Sequence, residues 1–256
     1  MSHGAQIKAL LACDLDGTLL AANGSPAAGI IETLAALDAR GALLVVCTGR
    51  PFHDAVKAAA ALRADPLAYV CYHGGLVIAT ITGEWLRHLT VPGDVASRIV
   101  RDAFEFGLSV TLYDGDQRRE LAPVASGEAL DLSALRGVTR LVLHGDPDGV
   151  AAALPGLAAS GGHGVSLERA GDGTVAILPS SANKGEGLKL VAAHFHVPDE
   201  RIVACGDSAA DESLLLAAAV RIAVGDAPSP LRAAAQLVVS QDSLAETLWR
   251  ATEALD

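Results

Sequence analysis

Short apolar runs alternate with amphipathic stretches at both ends of the chain. The apolar runs are typical of buried strands and cover residues 7–13, 42–47, 68–72, 201–205, 220–224 and 237–239. The stretches between them have helical spacing and cover residues 25–40, 52–63, 184–195, 209–219 and 228–235. Continuous apolar strands that alternate with helices indicate a parallel sheet covered on both faces. The two ends of the chain therefore predict a Rossmann-like α/β core with a mostly parallel sheet.

The pattern changes in the middle of the chain. Helical spacing covers residues 92–106 and 147–159, and candidate hairpins pair 109–113 with 118–121 and 164–168 with 173–178. Strand pairs joined by tight Gly-containing turns imply antiparallel pairing. We therefore predict an α+β domain at residues 88–181, inserted into a core of residues 1–87 and 182–256.

Composition and charge narrow the classes of function. The chain has 256 residues, is 51% hydrophobic, and carries 19 Lys and Arg against 30 Asp and Glu, a formal net charge of −11. That much apolar content excludes wholesale disorder, and an acidic chain is not expected to bind nucleic acid or an anionic membrane. The apolar runs are far shorter than the roughly 20 residues that span a bilayer, and the first residues lack the pattern of a secretory leader. We expect a cytoplasmic protein and leave its oligomeric state open.

Each of the four cysteines closes an apolar run. Cys13, Cys47, Cys71 and Cys205 form no C-x-x-C pair. Small buried thiols in a reducing compartment are the favoured interpretation, and a zinc site or redox switch stays open as an alternative.

Two carboxylates follow the first apolar run directly, in Asp14-Leu15-Asp16-Gly17-Thr18. Open α/β sheets bind their ligands at the carboxyl ends of the strands, where this segment falls. One carboxylate can attack a substrate or bind a metal while the other handles a proton. The segment therefore predicts a catalytic site.

A second acidic pair, Asp207 and Asp211, follows the strand at 201–205. Asp211 lies one helical turn after Asp207, on the same face. Hard oxygen ligands at this spacing suit Mg²⁺, but acidic residues in a first helical turn also simply complement the helix dipole.

Two further segments have features of anion sites. Thr48 and Gly49 end the second strand and precede a helix, where a hydroxyl and backbone N–H groups can bind an anion. Asn183 and Glu186 have the spacing of a helix cap, which puts Lys184 at the first helical position. A cation there opposes the helix dipole, so we expect Lys184 to lie beside a phosphate and acidic groups, against the alternative of a solvated surface side chain.

Together these residues resemble the haloacid dehalogenase superfamily of phosphotransferases. The matching positions follow one another in four motifs: Asp14 and Asp16, then Thr48, then Lys184, then Gly206, Asp207 and Asp211. The α+β insert resembles the type IIB cap of the Cof-like, sugar-phosphatase-like branch. Two positions depart from the family pattern, because His73 and Ala210 stand where asparagines are usual.

The resemblance implies catalytic roles for Asp14 and Asp16. Asp14 is expected to attack phosphorus and form an aspartyl phosphate. Asp16 is expected to protonate the leaving alcohol and then to deprotonate the attacking water.

The resemblance also implies ligand sets. Mg²⁺ is expected on the Asp14 carboxylate, the Asp16 backbone carbonyl and Asp207, with Asp211 direct or through water. The phosphoryl oxygens are expected on Thr48, Gly49 and Lys184.

The predicted function is therefore a Mg²⁺-dependent phosphatase of a small phosphorylated metabolite, a sugar or sugar-like phosphate. A phosphomutase on the same scaffold is the first alternative. A catalytically silent binding or regulatory module is the second, and the presence of all the charged motif residues disfavours it.

Overall fold

A computed structural model describes residues 7–123, 137–169 and 173–255. These residues divide into two units, one with the residues up to Arg87 and those from Asn183 onward, and one with His88–Ala182. No helix within the described ranges is both long enough and apolar enough to cross a bilayer.

The larger unit is built on a mostly parallel sheet. Its strands are β1 (Ala9–Cys13), β2 (Ala42–Cys47), β3 (Ala68–Cys71), β4 (Leu76–Ala79), β5 (Glu84–His88), β11 (Ile202–Gly206), β12 (Val220–Val224) and β13 (Leu237–Val239). Over the described residues their order is β13-β12-β11-β1-β2-β3-β4-β5. The strands from β13 to β3 pair in parallel, and β4 runs antiparallel to β3. The carboxyl ends of β1, β2 and β11 therefore meet at one edge.

Helices cover both faces of this sheet. They are α1 (Ile30–Asp38), α2 (Phe52–Ala59), α5 (Lys184–His194), α6 (Glu212–Leu216), α7 (Ser229–Ala234) and α8 (Leu244–Glu253). Leu10 and Val45 pack in the cluster that includes Leu188 of α5. The alternate residues Leu11 and Leu44 lie on the side of α1. Burial on both faces explains why these strands are continuous apolar runs.

The smaller unit is an antiparallel sheet with two helices. Its elements are α3 (Gly93–Glu105), β6 (Ser109–Asp114), β7 (Gln117–Leu121), β8 (Arg140–His144), α4 (Pro147–Gly161), β9 (Val165–Arg169) and β10 (Val175–Pro179). The strand order is β7-β6-β8-β10-β9, and neighbouring strands pair antiparallel. Both helices contribute to one apolar core with the sheet. The predicted α/β fold with an inserted α+β part is confirmed.

Several boundaries differ from the sequence prediction. Helix α1 begins at Ile30 rather than at residue 25, because Gly29 before it has a φ of 69° that a helix does not accommodate. The helix predicted at 209–219 is a 3₁₀ turn (Ala209–Asp211) followed by α6. Strand β4, the edge strand β5 and helix α8 were not predicted. The hairpin of β9 and β10 is confirmed, while residues 171 and 172 of its predicted turn lie outside the described ranges.

Two adjacent leucines of α6 provide a test of this packing. Leu215 is 0% exposed and Leu216 is 59% exposed. Leu215→Ala should lower the free energy of unfolding by about 2–5 kcal/mol, since it leaves a cavity in the core. Leu216→Ala should change it by about 0.5 kcal/mol or less. Urea unfolding of both variants measures the difference, and equal losses would contradict the packing described for α6.

Candidate active site

The segment that begins with Asp14 leaves β1 beside the loop that follows β11. The N–H of Asp14 donates to the carbonyl of Cys205 at 3.0 Å, which extends the pairing of the two strands by one residue. Gly17 then turns the chain with a φ of 83°. A Cβ on Gly17 would lie 2.2 Å from Oδ2 of Asp207, so only glycine lets this carboxylate approach the turn. The hydroxyl of Thr18 donates to Oδ1 of Asp207 at 3.2 Å.

Lys184 is buried among carboxylates. Its side chain is 2% exposed, and Nζ donates to Oδ1 of Asp14 at 2.7 Å and to Oδ1 of Asp211 at 2.5 Å. The predicted helix cap is confirmed, because the Asn183 side chain accepts the N–H of Glu186 at 2.9 Å and α5 begins at Lys184. The alternative of a solvated surface lysine is wrong.

Burial and charge set the protonation of this group. Burial raises the pKa of Asp14 to about 7, with Lys184 acting against the shift and Asp211 adding to it. Burial alone would lower the pKa of Lys184, but Asp14 and Asp211 raise it above its ordinary value. Burial also raises the pKa of Asp207. Lys184 is therefore a permanent cation in the site, while Asp14 can exchange a proton near neutral pH.

Three carboxylates form a group that could hold a metal ion. Asp14, Asp207 and Asp211 each place an oxygen within 4.8 Å of the others. Their hard oxygen ligands fit Mg²⁺. The Asp211 oxygens, however, already accept hydrogen bonds from Lys184, from the N–H groups of Asp207 and Ser208, and from the Ser208 hydroxyl. Asp14 and Asp207 are thus better placed to ligate a metal directly, with Asp211 fixing the residues around them.

Thr48 and Gly49 lie at the carboxyl end of β2, next to β1 in the sheet. Thr48 is buried, and its Oγ1 accepts the N–H of Arg50 at 3.1 Å. A Cβ on Gly49 would lie 2.5 Å from Nε2 of His73, so the imidazole occupies the space that the glycine leaves. His73 thus packs on the predicted phosphate loop.

A strained turn packs between this loop and the N-terminus of α5, the helix that begins with Lys184. Tyr72, His73 and Gly74 have consecutive positive φ angles of 50°, 54° and 96°. The N–H of His73 donates to the carbonyl of Thr48 at 3.1 Å, and a Cβ on Gly74 would lie 2.1 Å from the carbonyl oxygen of Asn183. The turn therefore packs against both the predicted phosphate loop and the N-terminus of α5. Ala210, the other departure from the family pattern, is exposed in the 3₁₀ turn before α6.

Arg50 is a residue of the site that the sequence analysis missed. Its Nε donates to Oδ2 of Asp16 at 2.7 Å and its Nη2 to Oδ1 at 2.6 Å. The only signal in the sequence was an arginine directly after Thr48-Gly49. The structure thus brings Asp14, Lys184, Asp207 and Asp211 together, and it places the Asp16 carboxylate apart from them, on Arg50.

The four cysteines are buried free thiols, as predicted. Cys13 and Cys205 lie opposite each other on β1 and β11. Burial raises the pKa of Cys47 well above its ordinary value, which makes this thiol a poor nucleophile.

Comparison with known proteins places the chain in a family. The sequence profile of the haloacid dehalogenase-like hydrolases matches residues 11–120 and 134–246. The chain belongs to this family. The predicted resemblance and the prediction of an enzyme of the phosphoric monoester hydrolase class are confirmed.

Relatives agree with this assignment over nearly the whole chain. The HMP-PP phosphatase of Escherichia coli strain K12 is 27% identical in an alignment 237 residues long that covers 88% of this chain and 86% of that protein. A haloacid dehalogenase-like hydrolase from Bacteroides thetaiotaomicron superposes with a TM-score of 0.83 at 23% identity, over 94% of this chain and 98% of that one. A HAD subclass IIB sugar phosphatase superposes with a TM-score of 0.75 at 17% identity, over 97% of this chain and 100% of that one. The likeness to these two structures concerns the fold alone.

The cluster of Asp14, Asp207 and Asp211 predicts that Mg²⁺ stabilises the folded protein in a pH-dependent way. The pKa of Asp14 in the folded protein, about 7, lies above its ordinary value of 3.8, so the folded protein keeps a proton that the unfolded chain releases. The stability that this proton contributes is complete below the ordinary value and is lost as the pH rises through 7. Mg²⁺ must displace the same proton, so it should raise the melting temperature more at pH 8 than at pH 5.5.

Thermal unfolding of the chelator-treated protein with and without Mg²⁺ measures this effect. Asp207→Asn is the matched control and should remove most of the shift at pH 8. Equal shifts at the two pH values, or a full shift in Asp207→Asn, would contradict the ligand set.

Proposed function

We propose that this enzyme is a Mg²⁺-dependent phosphatase of a small phosphorylated metabolite, a sugar or sugar-like phosphate, and that it works through an aspartyl phosphate on Asp14. The observation that carries the proposal is the separation of two carboxylates that lie two residues apart. Asp14 is buried against Lys184, and Asp16 is half-exposed on Arg50. As part of the same proposal, the chain divides into a core of residues 1–87 and 182–256 and an inserted domain of residues 88–181.

The proposed reaction has two steps. In the first, an oxygen of Asp14 forms a bond to phosphorus, the bond from phosphorus to the ester oxygen breaks, and Asp16 gives its proton to the leaving alcohol. In the second, Asp16 takes a proton from water, the water oxygen attacks phosphorus, and the bond to Asp14 breaks. Inorganic phosphate, the Asp14 carboxylate and protonated Asp16 result, as at the start of the cycle.

Positive charge is what an anionic nucleophile needs in order to approach an anionic phosphate. Lys184 supplies one charge from within the site, and the segment before α2 offers the Thr48 hydroxyl and the backbone of Gly49 to the phosphoryl oxygens. The Asp14 carboxylate, the Asp16 backbone carbonyl and Asp207 would hold Mg²⁺, which would supply further positive charge beside the phosphoryl group. Asp211, whose oxygens already accept hydrogen bonds from Lys184, Asp207 and Ser208, would join this set through water.

Substrate identity calls for a screen of phosphate release over sugar phosphates, phosphoglycolate, nucleotides, pyridoxal phosphate and HMP-PP, the compound in the name of the Escherichia coli relative. Release of phosphate without a bisphosphate activator supports a phosphatase. Turnover that depends on such an activator and releases no phosphate would support the phosphomutase alternative. Asp14→Asn should abolish turnover of every substrate, because an amide is a poor nucleophile.

The enzyme should require Mg²⁺, and Ca²⁺ should replace it poorly. Mg²⁺ enforces octahedral geometry at about 2.0–2.1 Å, whereas Ca²⁺ accepts 6–8 ligands at longer distances and can bind both oxygens of a carboxylate. Phosphate release is measured after chelation and after the return of each ion. Full activity in excess chelator would refute the metal assignment.

Asp16→Asn should act selectively on poor leaving groups. A sugar alkoxide needs a proton to leave, whereas p-nitrophenolate needs it far less, and general acid catalysis contributes about 10²–10⁴-fold. In single-turnover measurements, phosphoryl transfer should therefore fall much more with a sugar phosphate than with p-nitrophenyl phosphate. A single turnover is essential, because the second step needs Asp16 with either substrate. Equal losses in the first step would remove Asp16 from the role of general acid.

A further inference from the structure

We propose that Arg50 is a positioning residue that holds the Asp16 carboxylate in the orientation from which it exchanges protons with the leaving group and with water. The inference rests on the proposed function, in which Asp16 is the acid and base. It adds a residue whose part in the reaction is to orient another side chain.

Arg50 and Asp16 form a bidentate ion pair, with one hydrogen bond to each carboxylate oxygen. Nε and Nη2 of Arg50 each donate to a different oxygen of Asp16, at 2.7 and 2.6 Å. A planar guanidinium that meets a carboxylate in this way fixes the rotation of the carboxylate as well as its position, whereas a lysine makes a single-point contact.

Apart from Arg50, the described residues give the Asp16 carboxylate no side-chain hydrogen bond that would hold its orientation. Its side chain is 53% exposed, and in the part of the chain that the structure describes Arg50 is the one side chain hydrogen-bonded to it. A half-exposed aspartate without such a partner samples several rotamers. Removal of Arg50 would therefore leave a proton donor of the same chemistry but without a fixed direction.

Arg50 itself is carried by a fixed backbone. Its N–H donates to Oγ1 of Thr48 at 3.1 Å, and its carbonyl accepts the N–H of Tyr72 at 3.1 Å. The preceding Gly49 lies under the ring of His73. The turn at Tyr72 and His73 thus fixes the loop from which the guanidinium reaches Asp16.

The position of the cations supports the same conclusion. Lys184 donates hydrogen bonds to Asp14 and Asp211, and among the described residues it forms no hydrogen bond or ion pair with Asp16. An unheld Asp16 would be free to turn toward Lys184 or toward a metal beside Asp14, since opposite charges attract. Arg50 keeps it away from both, so that the two carboxylates retain separate tasks.

The test compares two substrates of similar size, benzyl phosphate and p-nitrophenyl phosphate, in single turnovers. Benzyl alcohol needs a proton to leave and p-nitrophenolate hardly does. Arg50→Gln should slow transfer from benzyl phosphate about 10-fold or more and from p-nitrophenyl phosphate less than about 3-fold, a partial loss of the 10²–10⁴-fold effect of a general acid. Arg50→Lys should resemble Arg50→Gln in this ratio, because it keeps the charge but loses the two-point contact.

A double variant shows whether Arg50 acts through Asp16. In the Asp16→Asn background, Arg50→Gln should cost less than about 2-fold further, because the group that it orients is already absent. Arg40→Gln is the matched control. Arg40 is also 37% exposed and ion-paired, with Glu253, in the same unit, and its loss should leave the ratio between the two substrates unchanged.

Two results would overturn the inference. Equal losses with both substrates and a raised KM would make Arg50 a phosphate ligand, and losses that multiply in the double variant would make it independent of Asp16. Failure of the proposed function would be recognised by a different result, full turnover in Asp14→Asn.

The contact between Arg50 and Asp16 can also be tested without turnover, so that its test does not depend on the proposed function. The Nε–H of Arg50 should be protected from exchange in ¹⁵N NMR of the wild-type protein and lose that protection in Asp16→Ala, which has no acceptor, and protection that persists in Asp16→Ala would contradict the contact.

Discussion

The buried ammonium of Lys184 is the group on which the rest of the site depends. A buried charge is costly unless it is paired, and breaking such a pair leaves the partner charges uncompensated. Lys184 has two carboxylate partners, Asp14 after β1 and Asp211 before α6, so it joins three segments that lie far apart in the sequence. A lysine at the start of a helix opposes the helix dipole, and these carboxylates offset that effect.

The neighbouring backbone is shaped by this arrangement. Gly17 and Gly74 stand where a Cβ would collide with Asp207 and with the carbonyl of Asn183, the residue before Lys184. The positive φ angles of Tyr72 and His73 occur in the turn that packs there. Backbone strain that clusters around one charged group in this way is characteristic of functional sites, where the surrounding structure holds the unfavourable conformations in place.

Two different cations pair with the two neighbouring carboxylates, Lys184 with Asp14 and Arg50 with Asp16. Asp14 and Asp16 are two residues apart, yet Asp14 is buried on Lys184 and Asp16 is half-exposed on Arg50. The surroundings give one carboxylate a raised pKa and a place beside Asp207, and give the other access to solvent and a fixed direction. In the proposed mechanism, this difference in environment lets one aspartate attack phosphorus while the other transfers protons.

Much of this could be predicted from the sequence because the strands of a parallel sheet end at a common edge. Asp14, Thr48 and Asp207 each follow an apolar run, and that alone brings their segments together. Arg50 was missed because its role depends on a rotamer that reaches Asp16 across space, which no spacing along the chain records. Strand β5 was missed because it lies at the sheet edge with exposed and charged side chains, so its pattern is not that of a buried strand. His73 on Gly49 likewise follows from a turn whose positive φ angles are not evident from Tyr-His-Gly-Gly.

The central claim is that Asp14 becomes covalently phosphorylated, and direct trapping tests it. In Asp16→Asn mixed with p-nitrophenyl phosphate, the first step should proceed while hydrolysis, which needs Asp16 as base, is slow. Rapid acid quenching and peptide mapping by mass spectrometry should then find a phosphoryl group on Asp14, and none in a variant that also carries Asp14→Asn. Release of p-nitrophenol without a phosphoryl group on Asp14, or with the group on another residue, would contradict the account.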